Sequence, residues 1–519
     1  MEPRPPGRTV YDFALLPRLG LPLIGALLER AGHEVSIYAE ILAPVDLGEC
    51  LAADIVGISS TTATAPAAYR LADLLGASGI PVVLGGPHVT FCAEEALGHA
   101  PYVVRGEGQA TIGDLIDSLQ AGSDLEGIKG LSYLGEHGEH HHNPARPVTP
   151  QAEFVTLPAP DLTLIAGYDK MLTKPVMTQW GCPFDCEFCS VTAMFSRSVR
   201  HRHTGQVLDD IASVGGERIF FYDDNFVVNK ARTTELMDAM VHAGLTPAWF
   251  AQMRADAVLR SPARPEVDDG FLELMRRSGA QMAMIGFEAI TDEGLAKVGK
   301  RLSVATEKRA VAALHDHGIA VHGMFVAGLD TDDAASAGAT ADFARRLGID
   351  TFQLMAETPI PGTKLWQRAS SEGRVLSDDW SLFDGHQVVM EPALMTPLEL
   401  QLGILDAMRR FYSWPRIVRS GLAGVLAHLP SLAQGASPKV IAQLPALAKL
   451  AWAKRWEDVA PLLREKLPQR ARLSLSRALW LPATRIYARR QIRAWWEADR
   501  SRDHIELLRS LSARSATHG

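Results

Sequence analysis

The sequence predicts an α/β protein in three parts: an N-terminal Rossmann-like (flavodoxin-like) domain, a partial (β/α)6 barrel of the TIM type, and an all-helical C-terminal region. Three observations predict this. From about residue 15 to 130, short β-branched runs alternate with amphipathic helical patterns, as in a parallel sheet covered on both faces. From about 165 to 375 the alternation resumes with a longer period and six strand candidates, as in a barrel. Beyond about 390 no strand pattern remains. With 519 residues, the chain has room for about three domains of roughly 150 residues each.

In order along the chain, LPLIGALLERAG reads as a helix ended by Gly32, and EVSIYA as a strand. DIVGISS and IPVVLGG are further short apolar runs, each ending in small residues where a loop starts. Ligands of such sheets bind at the carboxyl ends of the strands, where Gly57, Ser59, Ser60, Gly85, Gly86 and His88 fall. GLSYLGEHGEHHHNPARPVTP reads as a strand, a polar turn and a Pro-rich exit, with His140, His141 and His142 at a solvated hairpin tip. The barrel strands are VMTQWG, RIFFYDD, AWFAQMRAD, MAMIGFEA, AVHGMFVAGLD and TFQLMAETPIP, separated by helical patterns such as TTELMDAMVHAG and FLELMRRSGA. The expected boundaries are 1–145, a linker over 146–165, the barrel over 166–385, and the helical region over 386–519. Pro430, Pro438, Pro445, Pro461, Pro468 and Pro482 are expected to break its helices.

Composition is ordinary for a globular chain, at 47% hydrophobic and 22% charged, but the net charge of −8 is unevenly spread. Residues 401–519 carry 21 Lys and Arg against 8 Asp and Glu, a net of +13, and the remainder carries −21. Six of the ten tryptophans lie in that basic region: Trp414, Trp452, Trp456, Trp480, Trp495 and Trp496. No uninterrupted apolar run of about 18 residues exists, which argues against a spanning helix. The N-terminus lacks the basic and apolar regions of a signal peptide. Five cysteines in so long a chain exclude a disulfide scaffold and point to a reducing, cytoplasmic setting.

Three of those cysteines carry the chemistry. In GCPFDCEFCS, Cys182, Cys186 and Cys189 are spaced C-x3-C-x2-C. Thiolates so close together select zinc or an iron–sulfur cluster. Three ligands where four are usual leave one coordination position open. Cys50 and Cys92 lie far away in sequence and are expected to pack as small apolar residues.

This motif, with Phe188 before the last cysteine at the end of a first barrel strand, resembles the radical SAM enzymes. The resemblance implies a [4Fe–4S] cluster on Cys182, Cys186 and Cys189, its fourth iron chelated by S-adenosyl-L-methionine. One electron, from a donor such as flavodoxin or ferredoxin, then yields a 5′-deoxyadenosyl radical that abstracts a substrate hydrogen. In FYDDNF, Asp224 is the candidate for the cofactor's ammonium group by charge, with Asp223 and Asn225 beside it; the other reading is a capped strand-to-helix turn. Arg254 in QMRAD suits the methionine carboxylate and Glu288 in IGFEA the ribose hydroxyls, or each belongs to a barrel-mouth ion pair. PIPGT, Pro359 to Thr363, resembles the turn that closes this family's barrel.

The N-terminal runs LGLPLIGALLERAGHEVSIYAE, VGISSTTATAPAAYRLADLL, VVLGGPHVTFCAEEAL and VVRGEGQATIGDL resemble, in order, the cobalamin-binding domain fused before many radical SAM enzymes. Gly57, Ser59, Ser60, Gly85 and Gly86 let the backbone approach a corrin and its nucleotide tail, and His88 is a further contact. No D-x-H-x-x-G stretch is present, so the resemblance implies cobalamin held without a histidine below the cobalt. The barrel together with RRFYSWPRIVRS and the Leu/Ala/Arg/Trp helices after it resembles the cobalamin-dependent methylases that act on hopanoid lipids. The implied reaction is methyl transfer through methylcobalamin to an unreactive carbon of a hydrophobic or lipid-like small molecule. Alternatives are a non-methylating cyclisation or ring rearrangement, and a cobalamin- or redox-sensing protein without turnover. The basic tail reads either as a helical lid with solvated arginines or as a peripheral contact with an anionic bilayer. No nucleic-acid-binding motif is present.

Overall fold

The computed structural model describes residues 1–4, 15–261, 264–418 and 469–516. The N-terminal sheet holds β1 (Val56–Ser59), β2 (Val82–Gly85) and β3 (Tyr102–Val104) in parallel, then β4 (Leu131–Leu134) and β5 (His140–His142) antiparallel. Successive strand side chains point to opposite faces, so two separate cores form. Ile58, Leu84 and Val103 pack on one face against Ala68, Ala72 and Leu75 of the helix Ala65–Ala77. Val83, Val104 and Leu131 pack on the other against Leu115 of the helix Gly108–Ala121. The first helix, Gly20–Arg30, stops just before Gly32, whose φ is +93°.

The expected strand EVSIYA is reduced to two isolated bridges, Ile37 to Ile165 and Ala39 to Glu2. Its neighbours offer single residues and not a run, so no ladder propagates. The expected linker over 146–165 is also not free. Phe154, Leu162 and Ile165 are buried with Leu19, Ile37 and Met177, making a packed seam between the domains. The three histidines lie on β5, not at a tip. His140 and His142, two apart and therefore on one face, both hold Glu94, at 2.7 and 2.9 Å, while His141 stacks on Tyr133.

Six parallel strands form the barrel in sequence order: β6 (Lys174–Val176), β7 (Arg218–Phe221), β8 (Ala248–Met253), β9 (Ala280–Glu288), β10 (Ala320–Ala327) and β11 (Thr351–Ala356). Trp249, Ala251, Ile285, Phe287, Val321, Phe325, Phe352 and Leu354 face outward into the main core. There they meet helices such as Asp269–Ser278, Val304–Asp316 and Ser336–Arg346. The alternate residues Gln252, Met284, His322, Met324, Val326 and Met355 face the concave side and are only half-buried. Register places Gln252 beside Met284, Met284 beside His322, and Val326 beside Met355.

Besides that apolar seam, an ion pair and a turn-to-turn contact join the domains. The buried carboxylate of Glu107, at the start of the helix Gly108–Ala121, pairs with the buried guanidinium of Arg200 from the barrel. The Thr62–Thr64 turn after β1 packs on the Trp380–Leu382 turn that follows the last barrel strand.

The described part of the C-terminal region is helical: Pro397–Phe411, opened by a Thr396/Glu399 capping box, then Gln469–Glu497 and Asp499–Ala516. Pro482 lies inside the second of these helices and does not end it. These helices dock on the barrel. Trp495 and Trp496 pack against the main core, Arg489 donates to the Tyr412 carbonyl, and His504 reaches the Val388 carbonyl. The expectation of solvated arginines fails at Arg485, which is 5% exposed and bonds the Asp350 carbonyl. No helix among the described residues is long and apolar enough to cross a membrane. Trp452, Trp456 and the five other prolines named above lie outside the described residues.

Candidate active site

A short antiparallel pair, Gln179–Trp180 with Arg200–His201, follows β6 and brackets the loop that carries Cys182, Cys186 and Cys189. The entry to the loop is dictated sterically. Gly181 adopts φ +89°, and a side chain there would collide with the Ser198 carbonyl. Beyond it, the Cys189 amide closes a turn onto the Cys186 carbonyl at 3.1 Å. The loop is clamped from the far side of the barrel. Lys364 pairs with Asp185 at 2.6 Å, Arg368 with Glu187 at 2.7 Å, and the Leu365 amide donates to the Glu187 carbonyl at 3.1 Å. These partners belong to the helix Lys364–Ser371, which Thr363 of the expected PIPGT turn caps. Arg368 and Arg374 share Asp330 at 2.9 Å each, which extends the clamp to the loop after β10. Phe188 is seated between two apolar clusters, one containing Leu295 and Leu329 and the other Leu365 and Met390. It therefore wedges the loop in place.

All three thiols are free and half-buried. Burial pushes each above its ordinary range, Cys189 to about 12. Three thiols in one place, none bonded to another, are the donor set of a soft metal centre that deprotonates its ligands. Three thiols carried on one loop fit an iron–sulfur cluster with one position left open.

The acidic pair after β7 divides its labour. Asp223 is fully buried, takes the amides of Thr178 and Gln179 at 2.8 and 3.2 Å, and also takes the Thr178 hydroxyl. Burial pushes it up to about 7, and those bonds tie β7 to the strand end before the cysteines. Asp224 accepts the Gly181 amide at 3.0 Å, next to Cys182, and is raised by burial against the opposing charge of Arg200. The Asn225 side-chain oxygen is buried without a hydrogen-bond partner.

Arg254 lies 3.8 Å above the ring of Phe184 in the cysteine loop and also pairs with Asp256 at 3.1 Å. The sequence left a site role and an ion pair open; the structure shows the ion pair and puts it against the loop. Glu288 sits at a register shift with φ +63°, a left-handed conformation rare outside glycine. Lys300 holds it there, donating to the Glu288 carboxylate at 3.0 Å and to the Gly286 carbonyl. Behind them Glu307 is fully buried, with neither carboxyl oxygen hydrogen-bonded, and burial pushes it up to about 8 despite the pull of Lys300. Lys300 and Glu307 escaped the sequence reading because no local pattern marks them.

Glu357, just past β11, is a further buried acid, 6% exposed, with one oxygen unpartnered among the described residues. Burial and the charge of Asp330 push it up to about 8 against Arg368 and Arg374. A carboxyl raised in the fold stabilises the fold fully below its ordinary value of 4.5 and loses that contribution as pH climbs through about 8. From this group the wild type loses at most ~1.4 kcal/mol per pH unit across that window. Glu357→Gln mimics the neutral acid, so thermal unfolding should show the variant gaining on the wild type between pH 6 and 9. A gap that stays constant across that range contradicts the assignment.

The N-terminal sheet presents a second cradle at the carboxyl ends of β1 and β2. Gly86 has φ +101°, and a Cβ there would meet the Ser60 carbonyl at 2.5 Å, its amide at 2.9 Å and the Ser59 hydroxyl at 3.0 Å. Gly57 faces open space, and Gly85 has only the Val104 carbonyl within 3.9 Å. The Ser60 hydroxyl is fully buried with no partner among the described residues. A bare backbone turn with an orphaned hydroxyl fits a large planar ligand. His88 is not a solvated loop residue. It is 1% exposed, and its ring is engaged by Thr62 and by Trp380, at 5.1 Å between ring centres, so it does not present itself to that cradle as a free donor.

Comparison with known proteins identifies both domains. Residues 14–116 match the B12 binding domain, and residues 176–344 match the Radical SAM superfamily. An uncharacterized methyltransferase of Pyrococcus horikoshii is 30% identical over 419 residues, covering 78% of this chain and 89% of that protein. The hopanoid C-3 methylase of Methylococcus capsulatus is 26% identical over 411 residues, covering 74% of each. Among solved structures, the cobalamin-dependent S-adenosylmethionine radical enzyme OxsB with aqua-cobalamin bound superposes with a TM-score of 0.63. It is 17% identical and covers 88% of this chain and 71% of its own, a likeness of fold. A single relative thus spans both domains in one stretch, and the chain belongs to the cobalamin-binding radical SAM enzymes, whose cofactors are cobalamin, a [4Fe–4S] cluster and S-adenosyl-L-methionine.

Proposed function

We propose that the protein transfers a methyl group, by way of cobalamin, to an unreactive carbon of a hydrophobic small molecule. The observation that carries this reading is the 30% identity to a methyltransferase over 89% of that protein's length, across both cofactor domains. When bound, the cluster, S-adenosyl-L-methionine and cobalamin supply the single electron, the radical and the methyl group. Cys182, Cys186 and Cys189 hold the cluster. Asp224 stands beside Cys182 to receive an ammonium, and Arg254 stands above the loop to receive a carboxylate. Glu288, fixed by Lys300, faces the same mouth as an acceptor for hydroxyls. Gly57, Ser59, Ser60, Gly85 and Gly86 line the corrin cradle, with His88 supporting the turn from behind.

The substrate class follows from the concave face of the barrel. Met284, Met324, Val326 and Met355 supply adaptable apolar surface. His322 is hydrogen-bonded to Thr351 at 2.9 Å and Gln353 at 3.2 Å and adds one polar strip. Such a lining suits a bulky, largely apolar molecule with few polar groups, held away from water while a reactive species is present. The reductant is a one-electron donor of the flavodoxin or ferredoxin class.

The test is an anaerobic reaction with methyl-labelled S-adenosyl-L-methionine, read by mass spectrometry of products. Label in the product together with 5′-deoxyadenosine is the expected result. 5′-Deoxyadenosine with an unlabelled product means cyclisation or rearrangement, and no 5′-deoxyadenosine above background means a sensor; either outcome refutes methyl transfer.

A further inference from the structure

The N-terminal domain holds a cluster of ligating side chains from which the methyl-transfer reading takes only His88, as a support behind the cradle turn. His88, Cys92 and Glu95 follow one another at i, i+4 and i+7. Their backbone is continuous through the hydrogen bonds Cys92 amide to His88 carbonyl and Ala96 amide to Cys92 carbonyl, at 3.0 Å each. The imidazole, thiol and carboxylate therefore emerge on one side, and their ligand atoms all lie within 4.8 Å of one another.

We infer that His88, Cys92 and Glu95 form a second metal site, for a zinc-class divalent ion, at the junction of the cobalamin-binding domain and the barrel. Four observations support it beyond the spacing. The His88 side chain is fully buried, yet its Nε2 has no hydrogen-bond partner among the described residues. Glu95 Oε1 is 3.6 Å from that nitrogen, too far for a hydrogen bond and suited to two ligands on one ion. His88 Nδ1 faces the Thr62 hydroxyl at 3.4 Å, an arrangement that leaves Nε2 as the ligating nitrogen. The Trp380 indole N–H donates to both Glu95 oxygens at 3.0 Å, as outer groups do to a ligating carboxylate.

The chemistry of the set suits zinc. Imidazole nitrogen, thiolate sulfur and carboxylate oxygen are its usual ligands, and three of them leave a fourth tetrahedral position for water. Glu95 is 38% exposed at its side chain, so ion and water have a way in. Because Trp380 belongs to the segment after the last barrel strand, an ion here fastens the two domains where the Thr62–Thr64 turn already meets Trp380–Leu382.

The experiment uses the full chain, purified without oxygen, exposed to zinc and freed of excess by gel filtration, with metals counted by plasma mass spectrometry. A variant with Cys182, Cys186 and Cys189 all replaced by alanine removes the other thiols on which zinc could settle. One zinc per chain is expected in it, with X-ray absorption reporting one sulfur at ~2.3 Å and nitrogen or oxygen beyond that. Adding Cys92→Ser or His88→Ala should abolish the zinc, and Thr62→Val should weaken it ~10- to 100-fold. In the otherwise wild-type chain, Cys92→Ser should remove zinc and leave iron unchanged. Zinc kept in Cys92→Ser, zinc absent from the wild-type chain, or iron lost together with zinc each overturns the site. None of these readouts depends on methyl transfer.

Discussion

Cys186→Ala removes the iron–sulfur cluster and with it all reductive cleavage of S-adenosyl-L-methionine: iron falls to background, the broad cluster absorbance vanishes, and 5′-deoxyadenosine drops below detection. Three thiols are the whole protein contribution to the cluster in this reading, and a cube that prefers four ligands does not survive on two. The middle cysteine is the cleanest to remove. Burial raises its thiol, and the positive charges of Lys300 and Arg254 act against that rise. The loop itself should stay folded, because Lys364–Asp185, Arg368–Glu187 and the seat of Phe188 hold it independently of any metal. A variant that keeps native circular dichroism but has no iron is the expected result. Retained turnover, or retained iron with zinc-like absorption, would refute the assignment. Cys92→Ser is the matched control, since that thiol lies in the other domain and should leave the iron count untouched.

How much of this was legible in the sequence depends on the distance over which each feature is encoded. The cysteine motif is local, and so are five of the six barrel strands, whose apolar runs end in polar or charged residues at the mouth; of VMTQWG only Val176 joins β6, while Gln179 and Trp180 pair with Arg200–His201. Those features were readable because a strand's burial and its terminating polar residue are written within ten positions. EVSIYA was misread for the opposite reason. Its residues have strand character, but a strand needs a neighbour, and among the described residues the bridges to it come from Glu2 and Ile165. His140 and His142 are exposed, as expected, but their partner Glu94 lies 46 and 48 residues earlier and leaves no local sign. His88 is similar: a histidine after Gly-Gly-Pro looks exposed until Trp380 closes over it.

Within the site, sequence found the groups that approach the cysteines but not the groups that hold them. Asp224, Arg254 and Glu288 each end a strand and can be picked by position and charge. The positioning of Glu288 requires Lys300, and the clamp on the loop requires Asp330, Arg368 and Arg374, all from later loops and helices. Tertiary ion pairs between elements 40 to 180 residues apart leave no periodic trace. The apolar lining of the lumen was equally hidden, since Met284, Met324 and Met355 look like core residues until the register puts them on the concave face.

Glu107→Gln should be the most destabilising single change outside the cysteine loop, by about 3–5 kcal/mol, and the asymmetry with its partner makes the test specific. Glu107 and Arg200 are an inter-domain pair with side-chain exposures of 5% and 2%. Arg200 lies between the rings of Phe154 and Phe195, 5.5 and 5.3 Å from their centres, and two of its three guanidinium nitrogens have no hydrogen-bond partner. Neutralising Glu107 therefore leaves a guanidinium buried between two aromatic faces, answered by the Thr149 carbonyl at 3.4 Å and the more distant charge of Asp224. Arg200→Met is milder. The stranded carboxylate still accepts the Thr149 amide at 2.8 Å and stands at the start of the helix Gly108–Ala121, where the helix dipole favours a negative charge. The double variant should be more stable than Glu107→Gln alone, because it removes the buried cation that the single change exposes. Denaturant unfolding of the four chains checks the ordering. If the double variant is as unstable as the sum of the two singles, the pair is not coupled, and the seam between the domains rests on the apolar contacts of Phe154, Leu162 and Ile165 instead.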